Sequence, residues 1–497
     1  MARGWRPLFD DATIAWRSWD VFSPHTPLVG HMTTSKELAY ALGPLENWLL
    51  AVPVRLDSGQ GALWGAALAC VAGAALAIEA ARATVGWPGG VVASAAVLVV
   101  IMTRPDLMLD LPWNPTVGIF GLMVAIAAGW AAGSGRLGWW PVVVLGASVA
   151  AQCHELYALP AAVLCVASVL LGLAARRAAG CPFGGRWWIV GLAVGFVAWL
   201  PPVVQQLTQQ PGNFTLLWRS ARGSASDLGI GPALGGLGAA VRPFPDWLHI
   251  PLRTTPFASL VATLETFSGP KGWAVAVLVA LGIVAVVAWR TGRRELAALS
   301  SIALAAALST VGSVALFPAD GLGDFSYLDV VWWPVGMVTW IVFGWAFVCV
   351  VRRALGALGE QPLGEVTARW ARAVGIAGVG ILGASALWTD VPLTGSAFLG
   401  GWSMVHTTEQ AAADVARVAP PGPFELQTTG GGNSLLSFAV LTGAGYLLHV
   451  GGYQPRFVGL TAEDFGSWTT ATPGQPIVTV HLTNGLPVVV SGVTVSK

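Results

Sequence analysis

Two adjacent carboxylates, Asp10 and Asp11, head the stretch Phe9-Asp10-Asp11-Ala12-Thr13-Ile14-Ala15-Trp16-Arg17-Ser18-Trp19-Asp20, ahead of the first segment apolar enough to enter a bilayer. Two roles fit such a pair. One aspartate caps a helix beginning near Ala12, where its charge complements the positive end of the helix dipole, or the pair supplies a general base or metal ligand at a membrane surface. The spacing alone leaves both open. Downstream, Trp113-Asn114-Pro115 opens an apolar segment, with proline where a helix start accepts it. Gln152-Cys153-His154-Glu155-Leu156-Tyr157 gathers hydrogen-bonding side chains in a tight turn between two apolar runs. Polar groups at a membrane edge are costly unless they find partners or serve a site, so a satisfied turn and a ligand-binding turn both fit.

Further cations and acids lie later in the chain. Arg219, Arg222, Arg242, His249, Arg253 and Lys271 fall in one long loop, 205–271. Any one of them is at home as a solvated loop charge, but two or three together would suit an anionic phosphate, for which arginine offers a bidentate fork. Asp320, Asp324, Tyr327 and Asp329 form a second acidic group whose spacing fits no calcium-binding loop and which reads as a wall of an acceptor site.

The elements that must position these residues are membrane helices. Of 497 residues 55% are hydrophobic and only 10% charged, against about 25% charged in an ordinary soluble domain. The net charge of +1 leaves no clustered basic domain for a nucleic acid. Five cysteines without a CxxC spacing indicate neither a disulfide framework nor a zinc site. A span needs about 20 apolar residues, and candidates run over 61–80, 88–103, 115–132, 138–152, 156–175, 187–204, 272–289, 296–317, 330–351 and 371–389. The expected fold is therefore a polytopic α-helical membrane protein with about ten spans.

If the spans alternate, Arg82, Arg136, Arg176, Arg177, Arg186, Arg290, Arg293, Arg294, Arg352, Arg353, Arg369 and Arg372 share one side, which the positive-inside rule makes cytoplasmic. The other side receives residues 1–60, the loop 205–271 and the C-terminus. Residues 43–57 are apolar but too short to span, and read as an interfacial helix with Trp48 at headgroup depth and Arg55 facing water. Three regions follow: 1–60 with the acidic motif, a membrane domain over 61–390, and a small soluble α/β domain over 391–497. In the last, 406–418 and 434–442 have helical spacing. Residues 424–428, 446–450, 477–482 and 487–495 read as strands, with Thr483-Asn484-Gly485 turning the last pair. Gly430-Gly431-Gly432 lacks the remainder of any phosphate-loop pattern and reads as a strand-to-helix turn.

Together these residues resemble the GT-C glycosyltransferases, polytopic enzymes that take a sugar from a polyprenyl-phosphate donor, and are most similar to the actinobacterial cell-wall members. The motifs that carry the resemblance are Asp10-Asp11, His25-Thr26-Pro27-Leu28, Gly43-Pro44-Leu45-Glu46, Trp113-Asn114-Pro115 and His154-Glu155-Leu156-Tyr157, all within residues 9–160. In that family the acidic pair follows a first transmembrane helix, so this sequence is expected to lack the family's first helix. The resemblance implies an inverting transfer of an arabinofuranose- or mannose-like sugar to a cell-envelope glycan or lipid acceptor at the outer face of the plasma membrane. Asp10 or Asp11 would be the base, and the other would orient it or hold a divalent cation such as Mg, Mn or Ca. His154, Glu155, Trp113, Asn114, Arg242, His249 and Arg253 would line the substrate site, and Trp16, Trp19, Trp48 and Trp113 offer faces for a sugar ring. A transporter or flippase for a lipid-linked precursor, and an inactive structural subunit, remain as alternatives; neither an inverted repeat nor a pair of matching broken helices is visible to favour transport.

Overall fold

The computed structural model describes residues 5–33, 39–103, 112–182, 185–223, 227–243, 245, 247, 269–318, 330–357, 402–430, 434–459, 462, 465, 467–483 and 489–496. Among them seven helices are long and apolar enough to cross a membrane, so the protein is a polytopic α-helical membrane protein. The bundle comprises α3 (Gly61–Val85), α4 (Trp87–Thr103), α5 (Asn114–Gly133), α6 (Trp140–Cys153), α7 (Ala158–Ala178), α8 (Gly185–Thr208), α11 (Lys271–Arg290), α12 (Arg294–Ala315) and α13 (Trp332–Ala357). Of these, α4 and α6 fall short of a full span. At about 1.5 Å per residue the 14 residues of α6 cover only about 21 Å. The expected span at 371–389 lies outside the described residues.

The central helix is α5, buried along nearly its whole length. Small residues allow that burial: a Cβ on Gly121 would lie 2.8 Å from the Ala150 nitrogen and 3.0 Å from the Gly146 carbonyl of α6. Close approach of this kind is how helices associate where lipid leaves little hydrophobic drive. The outer helices instead turn apolar side chains outward, as Leu192, Phe196 and Val197 do on α8 and Val279, Ile283 and Val286 on α11.

The helices alternate in direction, and contacts at both ends fix this. At one end the Asn114 amide donates to the Cys153 carbonyl (2.8 Å), the Tyr157 hydroxyl to the Pro115 carbonyl (2.9 Å) and the Ser313 hydroxyl to the Leu156 carbonyl (2.8 Å). At the other end Trp130 Nε1 donates to the Glu295 carbonyl (2.8 Å) and Arg176 Nη1 to the Gly135 carbonyl (3.3 Å).

Two short helices cover the first end. α1 (Phe9–Asp20) packs on α2 (Leu45–Leu56). α2 exposes Trp48, Leu49, Val52 and Leu56 and buries Leu50, Ala51 and Val54, the amphipathic division of an interfacial helix. Arg55, however, does not simply face water: its Nη2 donates to the Trp19 carbonyl at 2.7 Å and the Val21 carbonyl at 2.6 Å, tying α2 to the end of α1. The long segment 205–271 carries α9 (Asn213–Gly223) and α10 (Ile230–Ala240) among its described residues. Asn213 and Tyr40 exchange two hydrogen bonds, 2.7 and 2.9 Å, which tether it to the N-terminal region.

The C-terminal region is a small α/β layer of α14 (Trp402–Val418), β1 (Pro423–Gly430), α15 (Ser434–Val450), β2 (Gln454–Arg456), β3 (Ile477–Leu482) and β4 (Val490–Ser496). The sheet order is β2-β1-β3-β4, with β1 parallel to β2 and β3, and β3 antiparallel to β4. Phe424 and Leu426 point into the core in strand alternation. The expected strand at 446–450 is instead the last turn and a half of α15, and β2 was not anticipated. A short apolar run cannot by itself separate a strand from a buried helix. Here Gly443 decides the packing: a Cβ there would meet Leu8 Cδ2 at 2.8 Å and the Pro7 carbonyl at 3.1 Å, so α15 lies directly on the segment leading into α1.

Candidate active site

Neither aspartate caps α1. The helix begins at Phe9, with Leu8 at the cap position and no side-chain cap, so Asp10 and Asp11 sit inside the first turn, where the dipole still favours their charge. Their surroundings oppose it. Asp10 keeps solvent-accessible surface yet is crowded by protein, and this desolvation raises its pKa from the ordinary carboxylate value; a hydrogen bond from Trp113 works the other way. Asp11 is raised further, first by burial and then by the neighbouring charge of Asp10. The dipole offers about 0.3–1 kcal/mol, whereas removing a carboxylate from water costs several. Desolvation therefore wins, and the pair titrates closer to neutrality than free aspartates do.

Trp113 reaches this turn because Pro115 starts α5 and leaves Trp113 extended at its cap. Its Nε1 donates to Asp10 Oδ2 at 3.3 Å. The adjacent Asn114 is buried and holds α5 to the end of α6 through the Cys153 carbonyl. Beyond it, the backbone N–H of Leu156 donates to His154 Nδ1 at 3.2 Å, capping the short turn Glu155–Tyr157. Glu155 Oε2 stands 3.7 Å from the same nitrogen. Arg242 is half-buried in the turn after α10, while His249, Arg253 and the acidic group Asp320, Asp324, Tyr327 and Asp329 lie outside the described residues.

Three further residues, Glu46, Arg17 and His31, join this site. Glu46, in the first turn of α2, is 4% exposed. Its pKa is raised well above the carboxylate range by burial, then by the charges of Asp11 and Asp10. Arg17 lies seven residues after Asp10, on the same face of α1; its Nη2 donates to the Val29 carbonyl at 3.0 Å and its guanidinium sits 5.3 Å from the Tyr40 ring centre. His31 is pushed down to about 3 by burial and by the neighbouring His154 and Arg17, which keeps its imidazole neutral. Thus acids gather around the first turn of α1, and His31, His154 and Arg17 gather farther along it. The i, i+7 spacing of Asp10 and Arg17 is the one signal of this second group that a sequence carries.

Among the proposed aromatic platforms, Trp16 is not available. It is fully buried, stacks on His449 at 4.0 Å and packs against Phe457, Phe465 and Trp468 of the C-terminal region. Its Nε1 donates to Asp20 Oδ2 at 3.1 Å, and Asp20 Oδ1 is 3.0 Å from His449 Nε2. Trp19 lies under Arg55, Trp48 Nε1 donates to the Pro27 carbonyl at 3.3 Å, and Trp113 is engaged with Asp10. Among the described residues no group of three or more His, Cys, Asp or Glu side chains is arranged to hold a metal ion.

No family model and no curated protein matches the chain. Among solved structures it is similar to the crystal structure of ArnT from Cupriavidus metallidurans bound to undecaprenyl phosphate, at 16% identity over 96% of this chain and 89% of that one, with a TM-score of 0.49. The apo state of the same protein matches over 97% and 89%, again at 16% identity, with a TM-score of 0.46.

Proposed function

We propose that the protein is a GT-C-type glycosyltransferase that moves a sugar from a polyprenyl-phosphate donor to a cell-envelope glycan or lipid acceptor at the outer face of the plasma membrane. The observation that carries this reading is the first turn of α1. It presents Asp10 to solvent, hydrogen-bonded by Trp113 at 3.3 Å, beside Asp11 and at the end of the bundle that α1 and α2 cover.

A polyprenyl phosphate already leaves readily, so the reaction asks for a base on the acceptor more than for an acid on the leaving group. One aspartate takes the proton from an acceptor hydroxyl as its oxygen bonds to the anomeric carbon. The bond from that carbon to the phosphate oxygen breaks, and the phosphate departs with the electron pair. A single displacement of this kind inverts the anomeric centre, in contrast to the two carboxyls at a set separation that glycoside hydrolysis requires. A base with a raised pKa suits the task, because proton transfer works best when it titrates near the operating pH. The other aspartate orients the first. Arg242, with His249 and Arg253 of the same loop, would stabilise the departing phosphate, and His154 and Glu155 would help line the substrate site. The small C-terminal layer, docked on α1, would bind or orient the acceptor.

Protein reconstituted with a labelled polyprenyl-phosphate sugar tests the reading. Asp10→Asn and Asp11→Asn are expected to lower turnover by about 100-fold or more in at least one case, the usual scale for a lost base. Full turnover in both variants would remove the aspartates from the chemistry. Donor movement across the bilayer without sugar transfer would point to a flippase instead.

A further inference from the structure

α8 has one apolar face that the other described helices leave uncovered. Ile189, Leu192, Phe196, Leu200, Val203 and Leu207 recur every three or four residues along it, and all are exposed. From Ile189 to Leu207 this face extends about 27 Å at 1.5 Å per residue, close to the hydrocarbon thickness of about 30 Å. Lipid chains therefore cover it, and the corner after Leu207 comes at headgroup depth. Side chains hold that corner in shape. The backbone N–H of Asn213 donates to Gln205 Oε1, that of Phe214 to Gln206 Oε1, and Gln206 Nε2 to Thr215 Oγ1, each at 2.9 Å, so the end of α8 fixes the start of α9.

The outward face of α9 is of a different kind. Arg222 lies three residues after Arg219 and four after Trp218, which puts the three side chains on one side of the helix. Trp218 is 59% exposed, both arginines are exposed, and the Arg222 guanidinium sits 4.3 Å from the Trp218 ring centre. On the opposite side Phe214 and Leu217 are half-buried. α9 contains no acidic residue, and among the described residues neither arginine meets a carboxylate. The helix dipole accounts for Arg222 in the last turn but not for Arg219. Membrane charge asymmetry accounts for neither, since it gathers arginine at the other end of the bundle. Two unpaired guanidinium forks beside an exposed indole, at the rim of a lipid-covered helix, are complementary to phosphate headgroups.

We infer that α9 is a membrane-surface helix that docks on anionic phospholipids of the leaflet at the acid-bearing end, with Trp218 among the headgroups and Arg219 and Arg222 on their phosphates. This does not rest on the transferase reading. It bears on the site all the same, because Asn213 at the start of α9 exchanges hydrogen bonds with Tyr40, whose ring lies under the Arg17 guanidinium of α1. Lipid contact at α9 thereby sets the depth of the segment that meets Arg17.

A probe on α9 tests this without turnover. Ala221 is exposed beside Trp218 and Arg222. Ala221→Cys in a Cys181→Ser background, labelled with a water-soluble fluorescent maleimide, is reconstituted into phosphatidylcholine vesicles with or without phosphatidylglycerol. Quenching by acrylamide from the aqueous phase is expected to fall about threefold when phosphatidylglycerol is present, and Arg219→Gln with Arg222→Gln should abolish the difference. Both changes are at exposed positions, and an unchanged melting temperature checks that the fold is kept. Equal quenching in the two lipid compositions, or protection that survives the double arginine change, would make α9 a solvated helix and overturn the inference. Protection by a polyprenyl phosphate added to phosphatidylcholine, with none from phosphatidylglycerol, would assign the arginines to the donor and overturn it as well.

Discussion

Asp10 is held between opposing influences, crowding that raises its pKa and the Trp113 indole that lowers it. Trp113→Phe removes only the second. The aspartate's pKa then rises further, and because a base must be ionised to work, the acid limb of the pH-rate profile moves to higher pH while the alkaline side stays in place. A limb that does not move would show that the indole contributes nothing to the titration of Asp10. At this scale the sequence displays the actors but not their surroundings. Asp10, Asp11 and Trp113 can be singled out because acids and tryptophan at a membrane edge are unusual in themselves. Glu46 stands in the motif Gly43-Pro44-Leu45-Glu46, yet its significance depends on α2 folding back against α1, a contact between residues more than thirty positions apart in the chain. Trp16 shows the reverse error: a tryptophan near the acids suggested a sugar platform, but its ring is the centre of a domain contact.

What positions the acids as a unit is the junction of α1 with α15. Phe9 opens α1 with φ +50°, a conformation unusual for a bulky residue, and its N–H donates to Thr442 Oγ1 of α15 at 3.1 Å. The Tyr446 hydroxyl donates to the Ser58 carbonyl at 2.7 Å, and the Asp20–His449 contact closes the far end of α1. Thr442→Val keeps the shape but leaves the Phe9 N–H without its acceptor, at a cost of about 1–3 kcal/mol. We expect a lower melting temperature together with a severalfold loss of turnover, because the residue released is next to Asp10. Loss of stability with wild-type turnover would show that α15 supports the fold but not the site. The sequence could not announce this junction. The helical spacing expected over 434–442 continues to Val450, and Gly443 and Gly445 are the surfaces that let α15 lie against Leu8 and Phe457. Seven of the expected apolar spans, by contrast, are long membrane-crossing helices near the expected positions, since length and continuous hydrophobicity define them without reference to any partner, while 88–103 and 138–152 form helices too short to cross.

For the whole molecule, the acids, the amphipathic helix α2 and the C-terminal layer share one end of the bundle, and the arginine-marked turns share the other. The first statement follows from the contacts of α1 and α15, the second from the alternation of helices that meet at Asn114–Cys153 and at Trp130–Glu295. Which end faces the cytoplasm is a matter of charge: Arg136, Arg176, Arg177 and Arg186 cluster around the turns at the second end, so that end should stay inside. The native cysteines provide a probe. Cys181 is exposed beside Arg176 and Arg177, about 31 Å of helix from the acid-bearing end, whereas Cys70 and Cys153 are buried and Cys165 and Cys349 are half-buried within apolar helices. A membrane-impermeant maleimide should therefore label Cys181 in inverted vesicles and leave it unlabelled in right-side-out ones. Thr472→Cys, placed in the exposed turn before β3 of a Cys181→Ser background, should give the opposite pattern. Labelling of both positions from the same side would break the topology on which an outer-face transfer depends. Opposite labelling with the two sides exchanged would keep the fold but put the aspartates in the cytoplasm, where an acceptor in the outer envelope could not reach them.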